Sequence, residues 1–552
     1  MASRTPASPE KPDAGLRNKN KLPQWRYIPR QKLIHLVRWE TPYLAYLQDR
    51  IRSPALDSYF AITANLGTHT FFMVVLPILF WCGYTSLGRG LVHILASGVF
   101  FSGFVKDLLC LPRPLSPPLQ RITMSGSAAL EYGFPSTHST NAVSVAVYAL
   151  FALHDSDENA NQYLGLFLKT LSYCYAISIV LGRLYCGMHG FLDVIIGSAL
   201  GALLSVVQCL YGEMFDDYLY SGSLKAPFIV VLIILVLVRI HPEPADDCPC
   251  FDDSVAFAGV MIGVELGNVH YAQSGLAWDY PAPSTAPFEL EALGWPKTIA
   301  RIMLGVLVIF AWRGVMKPTL LRLLPPIFRI VERLGLSLPR KFFKQASEYK
   351  KVPKHLKDDN VIPSVSEIPS FLTSMRHPRR SRGVSVGPQS AADAYEALAY
   401  REKRRRESIT SLGATSPSIK ESNGSAGYID YAKPNNQPLK VQTSGLLPTP
   451  NSSDLALYEQ MMGSGTAVYT PPTPISDAAY PYNSISRSAS EDRRQNEEEE
   501  RQIFSKLEKP RVRYDVEVIT KLIVYTGIAW WAVEGNPVLF ELVGLGFSKQ
   551  TG

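Results

Sequence analysis

Three short stretches of the chain carry residue types that can handle a phosphate group. The first runs Lys106-Asp107-Leu108-Leu109-Cys110-Leu111-Pro112-Arg113-Pro114, the second is Pro135-Ser136-Thr137-His138, and the third holds Arg183, His189 and Asp193. Together they supply three cations, two histidines and a carboxylate, a full set of parts for opening a phosphate ester without a metal ion. A phosphate monoester carries close to two negative charges at neutral pH, so a site beside a bilayer needs several fixed cations and directed donors. Arginine offers a fork for two phosphate oxygens and lysine a point charge. Taken singly, Lys106, Arg113 and Arg183 each read as an interfacial cation whose stem lies along apolar surface. Their joint occurrence is what points to a site.

The second stretch precedes an apolar run that predicts a helix. The first unbonded N–H groups of that helix face whatever sits beside His138, and a helix N-terminus is a ready anion site. The hydroxyls of Ser136 and Thr137, considered alone, read as helix caps. His189 and Asp193 are four residues apart, so on a helix they share a face and hydrogen-bond. A carboxylate on one imidazole nitrogen fixes the tautomer and leaves the other nitrogen free to attack.

These stretches sit between long apolar runs. Of the 552 residues, 47% are hydrophobic, and they are concentrated rather than spread, which describes an all-α multispanning membrane bundle of eight or nine spans. The predicted spans are roughly 68–84, 91–110, 140–154, 170–187, 190–211, 226–241, 254–271, 298–316 and 517–534, the third being short. The first 30 residues are polar and basic with no apolar centre, so no cleavable signal peptide is expected and insertion starts at an internal span. The net charge of +7 comes largely from basic clusters outside the apolar runs. With no nucleic-acid motif beside them, they read as membrane-surface charge, not as nucleic-acid binding. The seven cysteines are too scattered for a disulfide framework. Only Cys248-Pro249-Cys250 looks like a pair; a bridge across one residue is strained, and no histidine pair completes a metal site there.

The expected organisation is a basic tail and interfacial segment over 1–54, the membrane domain over 55–316, a basic amphipathic segment over 317–351, a disordered insert over 352–510, and a last span with its tail over 511–552. Tyr43, Leu44, Tyr46, Leu47 and Ile51 form the interfacial stretch. In 317–351 basic and apolar residues alternate at helical spacing, which suits a helix along the headgroups and equally a helix packed on the bundle. The insert is rich in Ser, Pro, Glu and Arg and cannot bury enough apolar surface to offset its ordering entropy. Its Ser416-Pro417, Thr449-Pro450, Thr470-Pro471 and Thr473-Pro474 pairs are candidate phosphorylation sites, and it is a candidate surface for regulatory proteins.

The order lysine-x6-arginine-proline, Pro-Ser-x-His, arginine-x5-histidine-x3-aspartate resembles the three-part signature of the type 2 phosphatidic acid phosphatase and vanadium haloperoxidase superfamily. Within it, Lys106-Asp107, Arg113-Pro114-Leu115-Ser116-Pro117-Pro118, Glu131-Tyr132-Gly133 and Gly187-Met188-His189-Gly190 are similar to the sphingosine-1-phosphate phosphatases, in fungi called long-chain base-1-phosphate phosphatases. The resemblance covers roughly residues 55–315. Thr137 stands where the superfamily usually has glycine and Gly182 where it usually has serine; Thr137 narrows the pocket but keeps its N–H. The resemblance implies that His189 attacks phosphorus, Asp193 orients it, His138 protonates the leaving alcohol, and Lys106, Arg113 and Arg183 hold the phosphoryl oxygens, with Ser136 and Thr137 adding donors. It implies no metal and no cofactor, a lipid phosphate substrate, and a multi-pass enzyme of the endoplasmic reticulum membrane with a lumen-facing site.

Rival readings are another superfamily member acting on phosphatidate, an isoprenoid diphosphate or a sugar phosphate, and a transporter or scaffold that binds without releasing phosphate. The motif residues touch only phosphate and do not separate the enzymes, whereas a complete catalytic set argues against the non-enzyme. The spans disfavour a haloperoxidase. Counting two spans before the first motif puts the site on the side of the basic N-terminus and insert, cytosolic by the positive-inside rule and opposite to what the resemblance implies. The sequons Asn423-Gly424-Ser425 and Asn451-Ser452-Ser453 can report the side.

Overall fold

Each of the nine predicted apolar runs is a helix. The computed structural model describes residues 22–67, 69–116, 118–122, 130–155, 162–221, 225–244, 248–280, 282–336, 340, 343–352 and 512–546. In chain order these are α1 (Gln24–Ile51), α2 (Pro54–Thr63), α3 (His69–Trp81), α4 (Thr85–Leu109), α5 (Thr137–Asp155), α6 (Gln162–Tyr185), α7 (Phe191–Leu219), α8 (Lys225–Ile240), α9 (Cys250–Gln273), α10 (Leu290–Arg333) and α11 (Val516–Trp530). A π turn, Trp531–Gly535, joins α11 to α12 (Asn536–Leu542). Among the described residues, six segments are long and apolar enough to cross a bilayer: α4, α6, α7, α9, α10 and Val516–Leu542. The protein is a multi-pass, all-α membrane bundle.

Differences from the sequence reading have local causes. The second span starts at Thr85 rather than near 91, because the charge of Arg89 is absorbed inside the bundle. Its guanidinium reaches Glu265 of α9 at 3.1 Å, and His93 one turn on meets the other Glu265 oxygen at 2.6 Å and Gln208 of α7 at 3.1 Å. Buried ions in a membrane persist when paired in this way. Helix α5 falls short of the apolar threshold because Ser139, Thr140, Asn141 and Ser144 are buried against its neighbours. There α5 and α7 touch backbone to backbone: a Cβ on Gly197 would lie 2.6 Å from the Ser136 carbonyl, so small residues set the approach. The boundary expected at 316/317 falls inside α10, which continues to Arg333 with Leu320 and Leu324 buried and Arg322 and Arg333 outward.

Helix α11 lies in the core, not at its edge. Gly259, Gly263 and Gly267 of α9 face Leu522, Thr526 and Val533 in turn, so the two segments run parallel in close contact. The Trp312 indole of α10 donates to the Val524 carbonyl at 3.0 Å, and that of Trp81 to Ala532 at 2.9 Å.

Helices α4 and α6 end, and α5 and α7 begin, at one end of the bundle. The N-terminus of α9 is there too, since Gly103 near the end of α4 abuts Ser254 and Cys250. Because α11 parallels α9, its start also lies at that end. Phe343–Lys344 pairs in parallel with Arg513–Tyr514, and Asp515 accepts from Tyr349 Oη at 2.6 Å and Ala346 N at 2.9 Å. The expected disordered insert and basic tail, with the phosphorylation dipeptides and sequons, lie outside the described residues apart from Val352 and the segment from Leu22 onward; the two points where the chain leaves for 353–511 and returns are side by side. A glycosylation sequon engineered into 123–129, between the first two motifs, should therefore be modified together with sequons in the insert or not at all. A glycosidase-sensitive mobility shift reads both, and modification of one alone would break the shared-face arrangement.

Candidate active site

His189 precedes α7 and is buried at the centre of the motif residues. Its Nδ1 lies 2.8 Å from the Gly133 carbonyl and its Nε2 lies 3.1 Å from Arg113 Nη1. A guanidinium can only donate, so Nε2 is the acceptor and the ring proton sits on Nδ1. Burial first, then the cations Arg113, Lys106 and Arg183, hold its pKa well below the ordinary histidine value. The imidazole is thus neutral, with its lone pair aimed at the cations.

The expected direct hydrogen bond from Asp193 is absent: Asp193 Oδ2 stands 3.7 Å from Nδ1 and accepts from Gly190 N at 2.7 Å. The four-residue spacing would have paired them on a helix, but α7 begins only at Phe191, so His189 lies in the turn before it. Asp193 instead closes the first turn of α7 around the His189 loop, and its backbone carbonyl accepts from Ser136 N at 2.9 Å, which ties the second motif to the third.

The cations converge from separate elements. Lys106 Nζ, buried in the last turn of α4, contacts Glu131 Oε2 at 2.7 Å, and Arg113 Nη2 lies 3.9 Å from the same oxygen. Arg113 is held along its length, Nε donating to the Glu131 carbonyl at 2.9 Å and Nη1 to that of Met188. Burial brings its pKa down to about 10. Burial alone would raise Glu131, but Lys106 and Arg113 outweigh it and hold the carboxyl well below the usual range. Arg183, at the end of α6, is buried, and its Nε has no hydrogen-bond partner among the described residues. An unsatisfied buried guanidinium costs free energy that an anion would return.

The hydroxyls of the second motif are committed elsewhere. Ser136 Oγ caps α5, taking Ser139 N at 3.4 Å and Ser139 Oγ at 3.0 Å, while Thr137 Oγ1 pairs with Ser102 of α4 at 2.9 Å. What this motif offers toward the cations is its helix N-terminus. His138 stands half-buried in the first turn, near enough to Glu131 to act on it electrostatically.

Sequence reasoning read the end of α1 as interfacial but missed its buried polar face. Trp25, Ile28, Trp39, Tyr43, Tyr46, Leu47 and Ile51 point outward with Lys32, Asp49 and Arg50, while Arg26, Arg30, Arg38, Glu40 and Gln48 are buried beside Ile34, Val37 and Leu44. Arg26 Nε donates to Leu108 O at 2.7 Å, Arg30 Nε to Cys110 O at 3.2 Å and Arg38 Nη1 to Arg113 O at 3.0 Å. Glu40 Oε1 accepts from Leu192 N at 3.1 Å, and Gln48 Nε2 donates to Gln120 O at 2.8 Å and Tyr185 O at 2.9 Å. The helix straps the first and third motif loops together through their backbones. Burial pushes Glu40 up to about 7, against the Leu192 N–H. Glu131 and Gly133 were also missed as site members, the latter because a backbone carbonyl leaves no residue-type signal.

One group with metal-ligating atoms close together occurs among the described residues, Asp107 with Cys248 and Cys250. The two sulfurs are joined as a disulfide, so the intraloop bridge that the spacing disfavoured is present. The pair packs beside Cys110 and Tyr132.

Residues 87–214, which contain all three motifs, match the model of the PAP2 superfamily. A dihydrosphingosine 1-phosphate phosphatase of Schizosaccharomyces pombe is 40% identical over 304 residues, 55% of this chain and 72% of that protein. A dihydrosphingosine 1-phosphate phosphatase of Saccharomyces cerevisiae is 34% identical over 53% of this chain and 70% of its own length. Human sphingosine-1-phosphate phosphatase 2 is 28% identical over 55% and 77%. Motif order, helix ends and these matches agree: the chain belongs to the PAP2 superfamily, in the branch that holds these sphingoid-base phosphate phosphatases.

Proposed function

We propose that the protein hydrolyses long-chain sphingoid base 1-phosphates to the free base and phosphate, from within the endoplasmic reticulum membrane as the resemblance implies. The observation that carries the chemistry is the neutral His189, its Nδ1 proton on the Gly133 carbonyl and its Nε2 beside the Arg113 guanidinium. The similarity to phosphatases of phosphorylated sphingoid bases carries the substrate class.

The phosphate group displaces Nε2 from Arg113 and takes oxygens onto Lys106, Arg113 and Arg183, with the N-terminus of α5 adding N–H donors. Nε2 attacks phosphorus, the P–O bond to the lipid breaks, and His138 gives its proton to the leaving oxygen. Charge on the equatorial oxygens in this step is what fixed cations stabilise. Water then attacks the phosphohistidine, His138 takes its proton, and inorganic phosphate leaves with Nε2 restored. Asp193 shapes the His189 loop through Gly190. Ser136 and Thr137 act as the cap and anchor of α5. The insert is the candidate for phosphorylation and for regulatory partners.

Purified protein in mixed micelles should release phosphate from dihydrosphingosine 1-phosphate faster than from phosphatidate. Equal or reversed rates would return the case to a broader lipid phosphatase, and binding of either lipid without release to a transporter or scaffold.

The three cations occupy the role a divalent ion has in other phosphatases, so EDTA should leave turnover intact. Vanadate, which adopts the trigonal-bipyramidal shape of the transition state, should inhibit. Loss of activity in EDTA with recovery on added magnesium would overturn the cation cage.

The two histidines separate in a trapping experiment. His189→Ala should abolish turnover and any acid-labile, base-stable label captured by rapid quench from a radioactive phosphate ester. His138→Ala should lose roughly 100- to 10,000-fold in turnover of the lipid, and less with a nitrophenyl ester whose leaving group needs no proton. Label persisting in His189→Ala would reassign the nucleophile.

A further inference from the structure

Glu131 brings a carboxylate into direct contact with the phosphate cations, and the hydrolysis mechanism gives that carboxylate no task. Its Oε2 lies 2.7 Å from Lys106 Nζ and 3.9 Å from Arg113 Nη2, and its backbone carbonyl takes Arg113 Nε. A carboxylate in a phosphate cage is a liability, since it neutralises the cations before substrate arrives and repels the dianion afterwards. It cannot move far, because Glu131 is anchored by its own backbone to Arg113. Nor need it leave: an ammonium such as Lys106 has three N–H donors and can hold Glu131 and a phosphate oxygen at once. The carboxylate therefore remains within one ammonium's width of the bound phosphate, and its side chain is partly open, at 16% exposure.

This arrangement rests on the function proposed above and sharpens its substrate class. We infer that Glu131 is an ammonium subsite, reading the free amine that a sphingoid base carries on the carbon next to its phosphorylated carbon. Three bonds of about 1.5 Å separate that nitrogen from the ester oxygen, which puts it roughly 3 to 4 Å away, a reach comparable to the 2.7 and 3.9 Å at which the carboxylate stands from Lys106 and Arg113. An ammonium there turns the repulsion into a charge-assisted hydrogen bond. A lipid phosphate with an amide or an acyl ester at that carbon brings no cation, and its carbonyl oxygens face the carboxylate with like partial charge. Glu131 thus selects by penalty as well as by contact.

The test compares dihydrosphingosine 1-phosphate with its N-acetyl derivative, in which a neutral acetamide replaces the ammonium, in full-length protein in mixed micelles. The readout is the ratio of the two kcat/KM values within one preparation, which does not depend on how much of the protein is folded. Wild type should prefer the free amine. In Glu131→Gln that preference should fall roughly 10- to 100-fold, the worth of a hydrogen bond to a charged group, with turnover of the free amine falling and that of the amide rising. Glu131→Asp, which keeps the charge on a shorter stem, should retain part of the preference. An unchanged ratio in Glu131→Gln, or loss of both activities in equal measure, would overturn the assignment and leave Glu131 a builder of the cage. Absence of turnover of either lipid by wild-type protein would instead overturn the phosphatase reading itself.

Discussion

A neutral imidazole held against buried cations is the constraint on which the rest of this structure depends. Lys106, Arg113 and Arg183 must stay charged away from bulk water, and His189 must stay uncharged beside them. Desolvation and like charge both push the histidine toward its neutral form, so the same cations that would receive a phosphate also keep His189 unprotonated, as the proposed attack requires. The requirement then passes outward. The Gly133 carbonyl must fix the Nδ1 proton, Arg113 must be held at Nε and Nη1 by the Glu131 and Met188 carbonyls, and the loops bearing those carbonyls must not drift.

Helix α1 meets that last requirement in an inverted way. An interfacial helix normally turns its apolar stripe inward and its charges to water. Here Arg26, Arg30, Arg38, Glu40 and Gln48 face the protein and bond backbone groups of the motif loops, while aromatic residues face out. Loops that supply directed backbone groups to a site have few partners of their own, and a helix laid across them from outside the matched region 87–214 provides those partners. Preorganisation of the phosphate cage is thereby shared between the bundle and a segment that precedes it in sequence.

The spans and the three motifs were legible because hydrophobic periodicity and paired residue types are properties of side chains. Every apolar run is a helix, and Lys106, Arg113, His138, Arg183, His189 and Asp193 meet at one end of the bundle as their order implied. What was not legible depends on partners. The stripe Arg26, Arg30, Ile34, Val37, Thr41, Leu44 and Gln48 has helical spacing, yet half of it is polar, so it does not read as a buried face. Asp193 was expected to hydrogen-bond His189 because spacing is visible and the start of a helix two residues later is not. Hydropathy marked the last span without indicating that α9 and α10 close around it, and the continuity of α10 past 316 was hidden by basic residues, of which Arg322 and Arg333 point outward and Arg329 bonds the carbonyls of Ala346 and Tyr349.

The short pairing of Phe343–Lys344 with Arg513–Tyr514, reinforced by Tyr349 and Asp515, has a mechanical consequence. The chain leaves for 353–511 and returns at one knot, so its two attachment points do not pull on separate helices. The entropy of closing such a loop rises only with the logarithm of its length, about 0.6 kcal/mol per doubling. Residues can be gained or lost there across evolution without changing the register of α11 in the core. The knot also sits at the end of the bundle where the three motifs meet, so the segment leaves the protein beside them.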